Sequence, residues 1–593
     1  MLKQANRIIM LVVLVVMMFT VIGCTGVALP HYLNNNENSE HLPNFNNNPN
    51  DVDDKNPIDS IDNDQNNGSG DLPDHEENPV DGDPITENPE LENPDNKDNE
   101  AEDPNTESPD ETEPGQVIDE NGIVINNSTN LTYKIAIAHT DGTLDYIESY
   151  DTYNTAELRI EHVPHDDAVI VKNGQVIYAK YGLLNLGIKS SYLITEFTHN
   201  GMDYYTNGQY GDDALFVDTH NNSVTSGSRK YFMLLNGNPG LVDHVDVELL
   251  PMTWVKSMSY YMVNTSGELV HVYATDLERA YQYVSSQPLD QAPNYLNRGL
   301  KYYSYDGHYF YTDYKHLVDD RRNGVTTGAV NNGAPYYNYY QYLSYRTKTN
   351  YTAGELDAYI DYALTKKGYQ DTSILSGSGK YFINSQETFG INAALELAMG
   401  FHESHYGTSS IARNKNNIFG MNATDHNPYG DADGFDTLQG GIDYHVRYYI
   451  TSTYLNPDKF HYNGQVLGNK RVGFNVYYAS DPYWGEKIAS HYYLLDKYLG
   501  FKDRKLYQVG ITNEATDIYL EPSMYSEVLY REAALYDAYK KGLPVVIQDE
   551  TLNYYEILLP APLVGNNLSP YSIYDYNSYS VGYIRKTDVD LVG

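Results

Sequence analysis

From His31 to Val117 the chain is written almost entirely in Asn, Asp, Glu and Pro, with 26 acidic residues against 2 basic ones. A stretch so poor in aromatic and branched apolar side chains cannot bury enough surface to offset the entropy of ordering it, so it is expected to remain a disordered acidic linker. Whatever folds must lie on its C-terminal side. As a flexible coil about 90 residues reach on the order of 50 Å, and stretched by self-repulsion ~300 Å. More than half of the formal net charge of −42 sits in this stretch, so the surplus says little about the chemistry of the folded part. An acidic chain lacks the basic face that an electrostatic nucleic-acid binder needs. Its single cysteine excludes a disulfide framework and any thiolate metal cluster. Tyr is in excess, 61 against 14 Phe and 2 Trp, and wet surfaces that meet sugars are one use for such residues.

The N-terminus reads as an export signal. Lys3 and Arg7 precede an apolar run from Ile8 to Ile22, too short for the ~20 residues that span a bilayer. The run ends in Val21-Ile22-Gly23-Cys24, which resembles a bacterial lipobox, where the signal is cut before a lipidated cysteine. The mature chain is then expected to begin at Cys24, held by lipid to the outer face of the cell membrane.

From Ile123 the pattern changes to short alternating segments punctuated by Asp141-Gly142, Asn173-Gly174, Asn207-Gly208 and Asn236-Gly237, which predict antiparallel hairpins. The ten residues Gly240 to Leu249 match Gly582 to Leu591 in spacing, an internal similarity at the end of two β-rich stretches. The pattern is similar to the closing strand of bacterial SH3-type domains, small barrels that attach wall enzymes to peptidoglycan. Tyr-rich residues around Asp306-Gly307 predict a further hairpin.

The chemistry is expected between 376 and 500. Asn384, with Glu387 three residues on, suggests an N-cap, and Ile391, Ala394, Leu395, Ala398 and Met399 follow at helical spacing. Glu403 stands one turn beyond, at the edge of that apolar face, with Gly407 as a helix stop. Ser409 to Asn416 reads as a polar loop, and Glu396, two turns before Glu403, as a surface charge. A second helix carries Ile488, Tyr492, Leu495 and Leu499 and ends at Gly500.

Three ordered blocks, Glu403-Ser404-His405-Tyr406-Gly407 with Ile411-Ala412, Asn416-Asn417-Ile418-Phe419-Gly420, and Tyr478 through Ala489 with Trp484 inside it, resemble the endo-β-N-acetylglucosaminidases of glycoside hydrolase family 73. The resemblance implies a lysozyme-like, mainly helical catalytic domain in which Glu403 is the general acid. A free Glu near pKa ~4.3 is almost wholly ionised at neutral pH, whereas apolar flanking can hold back enough protonated acid to protonate a leaving oxygen. It also implies substrate contacts from Asn417, Phe419 and Gly420, and a catalytic place in the cleft for Tyr478, orienting the substrate's acetamido group or a water, where the residues alone read as a buried strand tyrosine. Trp484 stacks on sugar or packs the terminal helix. The second acid is sought among Asp425, Asp431, Asp433 and Asp436, with Asp436 preferred by alignment, although Asp436-Thr437-Leu438-Gln439 is equally a capping box. Asp431-Ala432-Asp433-Gly434 fails the EF-hand spacing for calcium.

The expected organisation is multidomain α+β: signal 1–23, linker 24–122, β modules 123–290, a Tyr-rich extension 291–375, the catalytic domain 376–500 and a C-terminal β module 501–593. The expected partner is the peptidoglycan glycan strand, met by a monomer without metal or cofactor. A muramidase or lytic transglycosylase on the same fold, and a non-catalytic wall-binding lipoprotein, are the alternatives. Cys24→Ala is expected to move the protein out of the membrane fraction on cell fractionation; a variant that stays fully membrane-bound after signal removal would place the anchor elsewhere.

Overall fold

The computed structural model describes residues 117–118, 124–125, 132–186, 194–211, 213–221, 229–423, 427–532, 542–572, 576 and 580–592. Cys24, the apolar leader and nearly all of the expected linker lie outside the described residues. A short antiparallel pair, Val117–Ile118 with Val124–Ile125, straddles the linker's expected end. Among the described residues no helix is long and apolar enough to cross a membrane.

The first β module is a four-stranded antiparallel sheet built from Tyr133–Ala138, Leu144–Tyr150, Ala168–Lys172 and Gln175–Ala179, with the Tyr153–Ile160 helix burying Tyr153, Ala156 and Ile160. A seven-stranded antiparallel sheet follows between Gly182 and Pro251 and shares one apolar core with it. A third, small sheet spans Tyr260 to Gln291. The helices come next, and a second seven-stranded sheet, from Gln508 to Val592, closes the described chain. The architecture is therefore multidomain α+β.

The two seven-stranded sheets have the same topology. In each, the strands taken in chain order stand as last, first, fourth, fifth, sixth, second and third across the sheet. The last strand, Glu248–Pro251 or Val589–Val592, returns to pair with the first, Gly182–Asn185 or Gln508–Thr512. One bulge corresponds, between the fourth and fifth strands of each sheet, at Phe216/Asp218 and at Ile547/Asp549, while the second sheet has a further one between its second and third strands, at Ile518/Tyr519. Gly240 and Gly582, the opening residues of the repeated decapeptide, are fixed for one reason. A Cβ at Gly240 would lie 2.5 Å from the Phe197 ring, and one at Gly582 would lie 2.8 Å from Leu559. The ten matching residues thus mark the duplication of a whole module. Both sheets are open paths among the described residues and stand as antiparallel β modules.

Three of the four expected hairpins form, and at Asp141-Gly142, where Ala138 pairs with Leu144, only the glycine is left-handed. Asn173-Gly174 and Asn236-Gly237 both have left-handed φ at both residues, as a two-residue turn of matching twist requires. Asn207-Gly208 makes no hairpin: Met202–Asn207 pairs only with Ile194–His199, through an Asn200-Gly201 turn that supplies the left-handed pair instead. The Tyr-rich segment closes as expected, with Tyr303 bridged to Tyr311 across Gly307.

The Tyr excess is spent mainly inside. Tyr340 and Tyr351 donate to Asp496, Tyr492 to Asp503, Tyr493 to Glu268, Tyr305 to Asp213, and Tyr261 and Tyr273 to Glu486, and every one of these carboxylates is buried. Phenols therefore solvate buried acids in a chain with twice as many acidic as basic residues, 81 against 39.

Glu532 in the C-terminal module belongs to this set. It is fully buried and accepts from Tyr530 at 2.5 Å and from Tyr462 of the helical region at 2.8 Å. Burial pushes its pKa up to about 7, against the downward pull of the two phenols. The folded chain holds this proton at pH values where an unfolded Glu, near ~4.3, has lost it. Its stabilising contribution is complete below about pH 4.3 and is lost as the pH rises through about 7, a change of about 4 kcal/mol. Glu532→Gln should flatten the decline of melting temperature between about pH 5 and pH 8; an unchanged slope would assign that decline to other groups.

Candidate active site

Glu403 ends the Ala393–Glu403 helix. That helix is capped by Asn392, whose side chain accepts from the backbone of Ala394 and Leu395, and not by Asn384. Asn384 lies inside a separate helix, Gly379–Phe389, stopped by Gly390 at φ +64°. After Glu403 the chain reverses through three successive left-handed residues, His405, Tyr406 and Gly407. Two are not glycines, and the fixed backbone around them carries that strain. The expected polar loop holds a short helix, Ser410–Lys415, capped by Ser409.

The Glu403 side chain is buried, and its Oε1 accepts the indole N–H of Trp484 at 2.7 Å. Trp484 is fully enclosed, with Tyr478 stacked on it at 4.5 Å, so it packs the terminal helix rather than presenting a face to sugar. That helix, Trp484–Tyr498, buries Ile488, Tyr492 and Leu495 as expected, and Gly500 follows with φ +93°. Glu486, two residues after Trp484, is a buried carboxylate that meets His271 at 2.6 Å and Tyr273 at 2.7 Å from the third sheet. Burial would raise its pKa, but the His271 charge and the hydrogen bonds overcome that and hold it below the ordinary value.

Tyr478 lies beside Glu403 and is buried, as one of its two readings had it. Burial, and next the Glu403 carboxylate, push its phenol well above the usual range. Its hydroxyl reaches His445 Nε2 at 3.0 Å, and His445 Nδ1 reaches Glu396 Oε1 at 2.7 Å. Glu396 is therefore no surface charge. It is fully buried, because every side of its helix is covered, and Tyr345 donates to its second oxygen at 2.9 Å. His445 begins a π-helical run, His445–Tyr454, whose buried positions include the pairs 445/446 and 450/451, five residues apart, and Tyr454 at its end. The wide turns put His445 on the inward face.

The second block builds the wall of this site. Asn417 is saturated by the loop itself: its amide donates to Met421 O at 3.0 Å and Asp433 O at 3.1 Å, and its oxygen accepts from the backbone of Met421. Phe419 is fully buried, stacked on His445 at 3.7 Å and 9°. Their buried positions give Asn417 and Phe419 structural roles in place of the expected sugar contacts. Gly420, at φ +66°, makes the turn that follows. Of the acidic loop, Asp425 lies outside the described residues, Asp431 is exposed, and Asp433 accepts from Asn422 at 2.7 Å. Asp436 is exposed and caps nothing: Thr437 is the N-cap of the Leu438–Tyr444 helix and accepts from Gly440.

The segment from Tyr477 to Tyr483 is gripped from the first seven-stranded sheet. Tyr205 donates to Tyr477 O at 3.0 Å, the Asn207 backbone to Ser480 O at 3.0 Å, and Asn236 to Pro482 O. Gly211 admits the Tyr483 ring, which a Cβ would strike at 2.5 Å. Trp484→Phe keeps a ring on Tyr478 but removes the donor to Glu403. It should cost about 0.5–1.5 kcal/mol, the range for a hydrogen bond between uncharged groups. A double-mutant cycle with Glu403→Ala, which removes the acceptor, reads that coupling, and strict additivity would deny the bond any energetic weight.

Residues 379–497 match the family described as mannosyl-glycoprotein endo-beta-N-acetylglucosaminidase. A protein of Streptococcus pneumoniae serotype 4, strain TIGR4, named "Putative endo-beta-N-acetylglucosaminidase", is 33% identical over 253 residues, covering 42% of this chain and 34% of that relative. A protein of the same name from strain R6 is also 33% identical, covering 42% of this chain and 32% of its own length. The chain thus spans about a third of the length of these curated relatives. Among solved structures, autolysin E of Staphylococcus aureus is 20% identical, with 28% of this chain and 73% of that one covered and a TM-score of 0.21. Its catalytic mutant in complex with the disaccharide NAG-NAM is 19% identical, with 27% and 73% covered and a TM-score of 0.20. The stretch that matches this family model, residues 379–497, holds Glu396, Glu403, His445, Tyr478 and Trp484.

Proposed function

We propose that this chain is a peptidoglycan hydrolase, an endo-β-N-acetylglucosaminidase that cuts the β-1,4 bond after N-acetylglucosamine with Glu403 as general acid. The observation that carries the reading is Glu403 itself, a buried carboxyl at the end of an apolar helix inside the matched region, fixed by the Trp484 indole. A glycosidic oxygen leaves poorly unless protonated, and a carboxyl shielded from water is the group that can keep a proton for it. The names of the pneumococcal relatives support the bond cleaved.

The remaining assignments rest on the sequence. The catalytic region reads as lysozyme-like. A lipid on Cys24 would hold the enzyme outside the cytoplasm, facing the wall, with the acidic linker as tether. The duplicated module reads as an SH3-type wall-binding unit, a reading supported by the return of its last strand onto its first. Asp436, exposed within the acidic loop, remains the preferred second acid by alignment. The protein would act as a monomer on glycan strands, in wall remodelling or daughter-cell separation.

Purified peptidoglycan digested by the full chain should release fragments with N-acetylglucosamine at the reducing end, read by mass spectrometry after borohydride reduction. N-acetylmuramic acid at that end would make the enzyme a muramidase, and an anhydro sugar a lytic transglycosylase. Glu403→Gln should lose about 10²–10⁴-fold in rate with its circular dichroism unchanged, and Asp436→Asn less. A folded Glu403→Gln variant within about threefold of wild type would remove Glu403 from the chemistry.

A further inference from the structure

We propose that the cavity where the first seven-stranded sheet meets the Tyr-rich segment, the 469–472 turn and the edge of the C-terminal module binds a small carboxylate with an aliphatic body. The site goes beyond the hydrolase reading and does not depend on it, since its lining shares no residue with the cluster of Glu403, Tyr478 and Trp484.

The cavity measures about 370 Å³, within the ~300–1,000 Å³ usual for small-ligand sites. Its apolar lining includes Val217, Met233, Leu234 and Pro239 from the sheet and Val472 from the turn, and Gly542 lines it from the C-terminal side. Its charged lining is two guanidiniums, Arg321 and Arg471, against one carboxylate, Asp306. Pro239, Tyr337 and Arg471 are only half-buried, which gives a ligand a way in from solvent.

Both guanidiniums are carried on fixed backbone. Arg321 stands in the last turn of the Tyr314–Asn323 helix and pairs through Nη2 with Asp306. Among the described residues Asp306 is its one hydrogen-bond partner: Nε is enclosed without an acceptor, and 22% of the side chain is exposed. Asp306 does not serve Arg321 alone, because its other oxygen accepts from the Ser304 hydroxyl and from the backbone of His308 and Tyr309. Arg471 rides a turn in which Asn469 Oδ1 accepts from the backbone of Arg471 at 2.8 Å and of Val472 at 3.0 Å. The sheet holds that turn through Asn238, whose amide donates to Lys470 O at 2.9 Å. Gly237 permits the approach, since a Cβ there would lie 2.6 Å from Asn469 Nδ2 and 3.5 Å from the Arg471 Cβ.

His308, also in the lining, adds no charge. Its Nδ1 donates to Tyr336 O at 2.7 Å, burial holds its pKa below the ordinary value, and its Nε2 faces the Tyr342 hydroxyl at 3.4 Å. The lining therefore carries one net positive charge, which a monoanion answers. A planar guanidinium matches the two oxygens of a carboxylate. A phosphate dianion would bring a second negative charge beside Asp306. The aliphatic lining then selects an apolar body behind the carboxylate over a polar one.

Calorimetric titration of the full chain with N-acetyl-alanyl-alanine, with its C-terminal amide and with inorganic phosphate tests the site. We expect the acid to bind about tenfold or more tighter than either of the others, and Arg471→Gln to remove that preference with the melting temperature unchanged. Equal binding of acid and amide by the wild type, tighter binding of phosphate, or a folded Arg471→Gln variant that keeps the preference would overturn the assignment; the first two need no variant. A second arm identifies where the carboxylate comes from. If the wall bears it, saturating acid should lower the fraction of the chain that sediments with purified sacculi. Unchanged sedimentation beside tight binding of the acid would assign the site to a free small carboxylate.

Discussion

A buried carboxylate held by tyrosine hydroxyls is the interaction on which the assembly of this chain depends. It recurs where separate segments meet: Glu486 with Tyr261 and Tyr273 where the terminal helix meets the third sheet, Asp213 with Tyr305 where the first seven-stranded sheet meets the Tyr-rich hairpin, and Glu532 with Tyr462 where the C-terminal module meets the helices. A phenol can do this because its ring fills apolar volume while its one proton points at the acid. An acid left without such donors inside the protein would cost several kcal/mol or give up its charge. Tyrosine is thus both core and counter-dipole, and the same device appears at Glu396, beside the candidate chemistry.

The terminal helix gathers these junctions. Within its first turn Trp484 reaches Glu403 and Glu486 reaches His271, and near its end Asp496 accepts from Tyr340 and Tyr351. The segment leading into it is fastened to the first seven-stranded sheet by backbone and asparagine hydrogen bonds from Tyr205, Asn207 and Asn236. The β module is consequently part of the scaffold that sets the position of Tyr478 and Trp484. The helical core likewise includes Val509, Ile511, Val546 and Leu558 from the C-terminal module.

What the sequence could disclose was what local rules govern. Asn173-Gly174 and Asn236-Gly237 announce hairpins because only residues tolerant of left-handed φ make those turns, and Asn200-Gly201 carried the same signal unused. Glu403 was legible because three blocks surround it. Glu396 was not, since helical spacing assigns a face but cannot say that every face of a helix is covered; its partner His445 reaches it from a π-helical turn that no local propensity marks. Asn417 and Phe419 were assigned to sugar because a motif close to an active site does not distinguish a wall from a contact. The duplication showed as ten similar residues because the rest of the module keeps its strand order with different side chains.

The reliance on phenol donors has a consequence for the medium the protein can work in. Exposed ion pairs such as Lys315 with Asp166 or Lys502 with Glu355 weaken as salt screens them. A hydrogen bond from a neutral hydroxyl to an enclosed carboxylate presents nothing for mobile ions to screen. The junctions at Asp213 and Asp496 should therefore hold across wide swings of ionic strength, and with them the packing that surrounds Glu403.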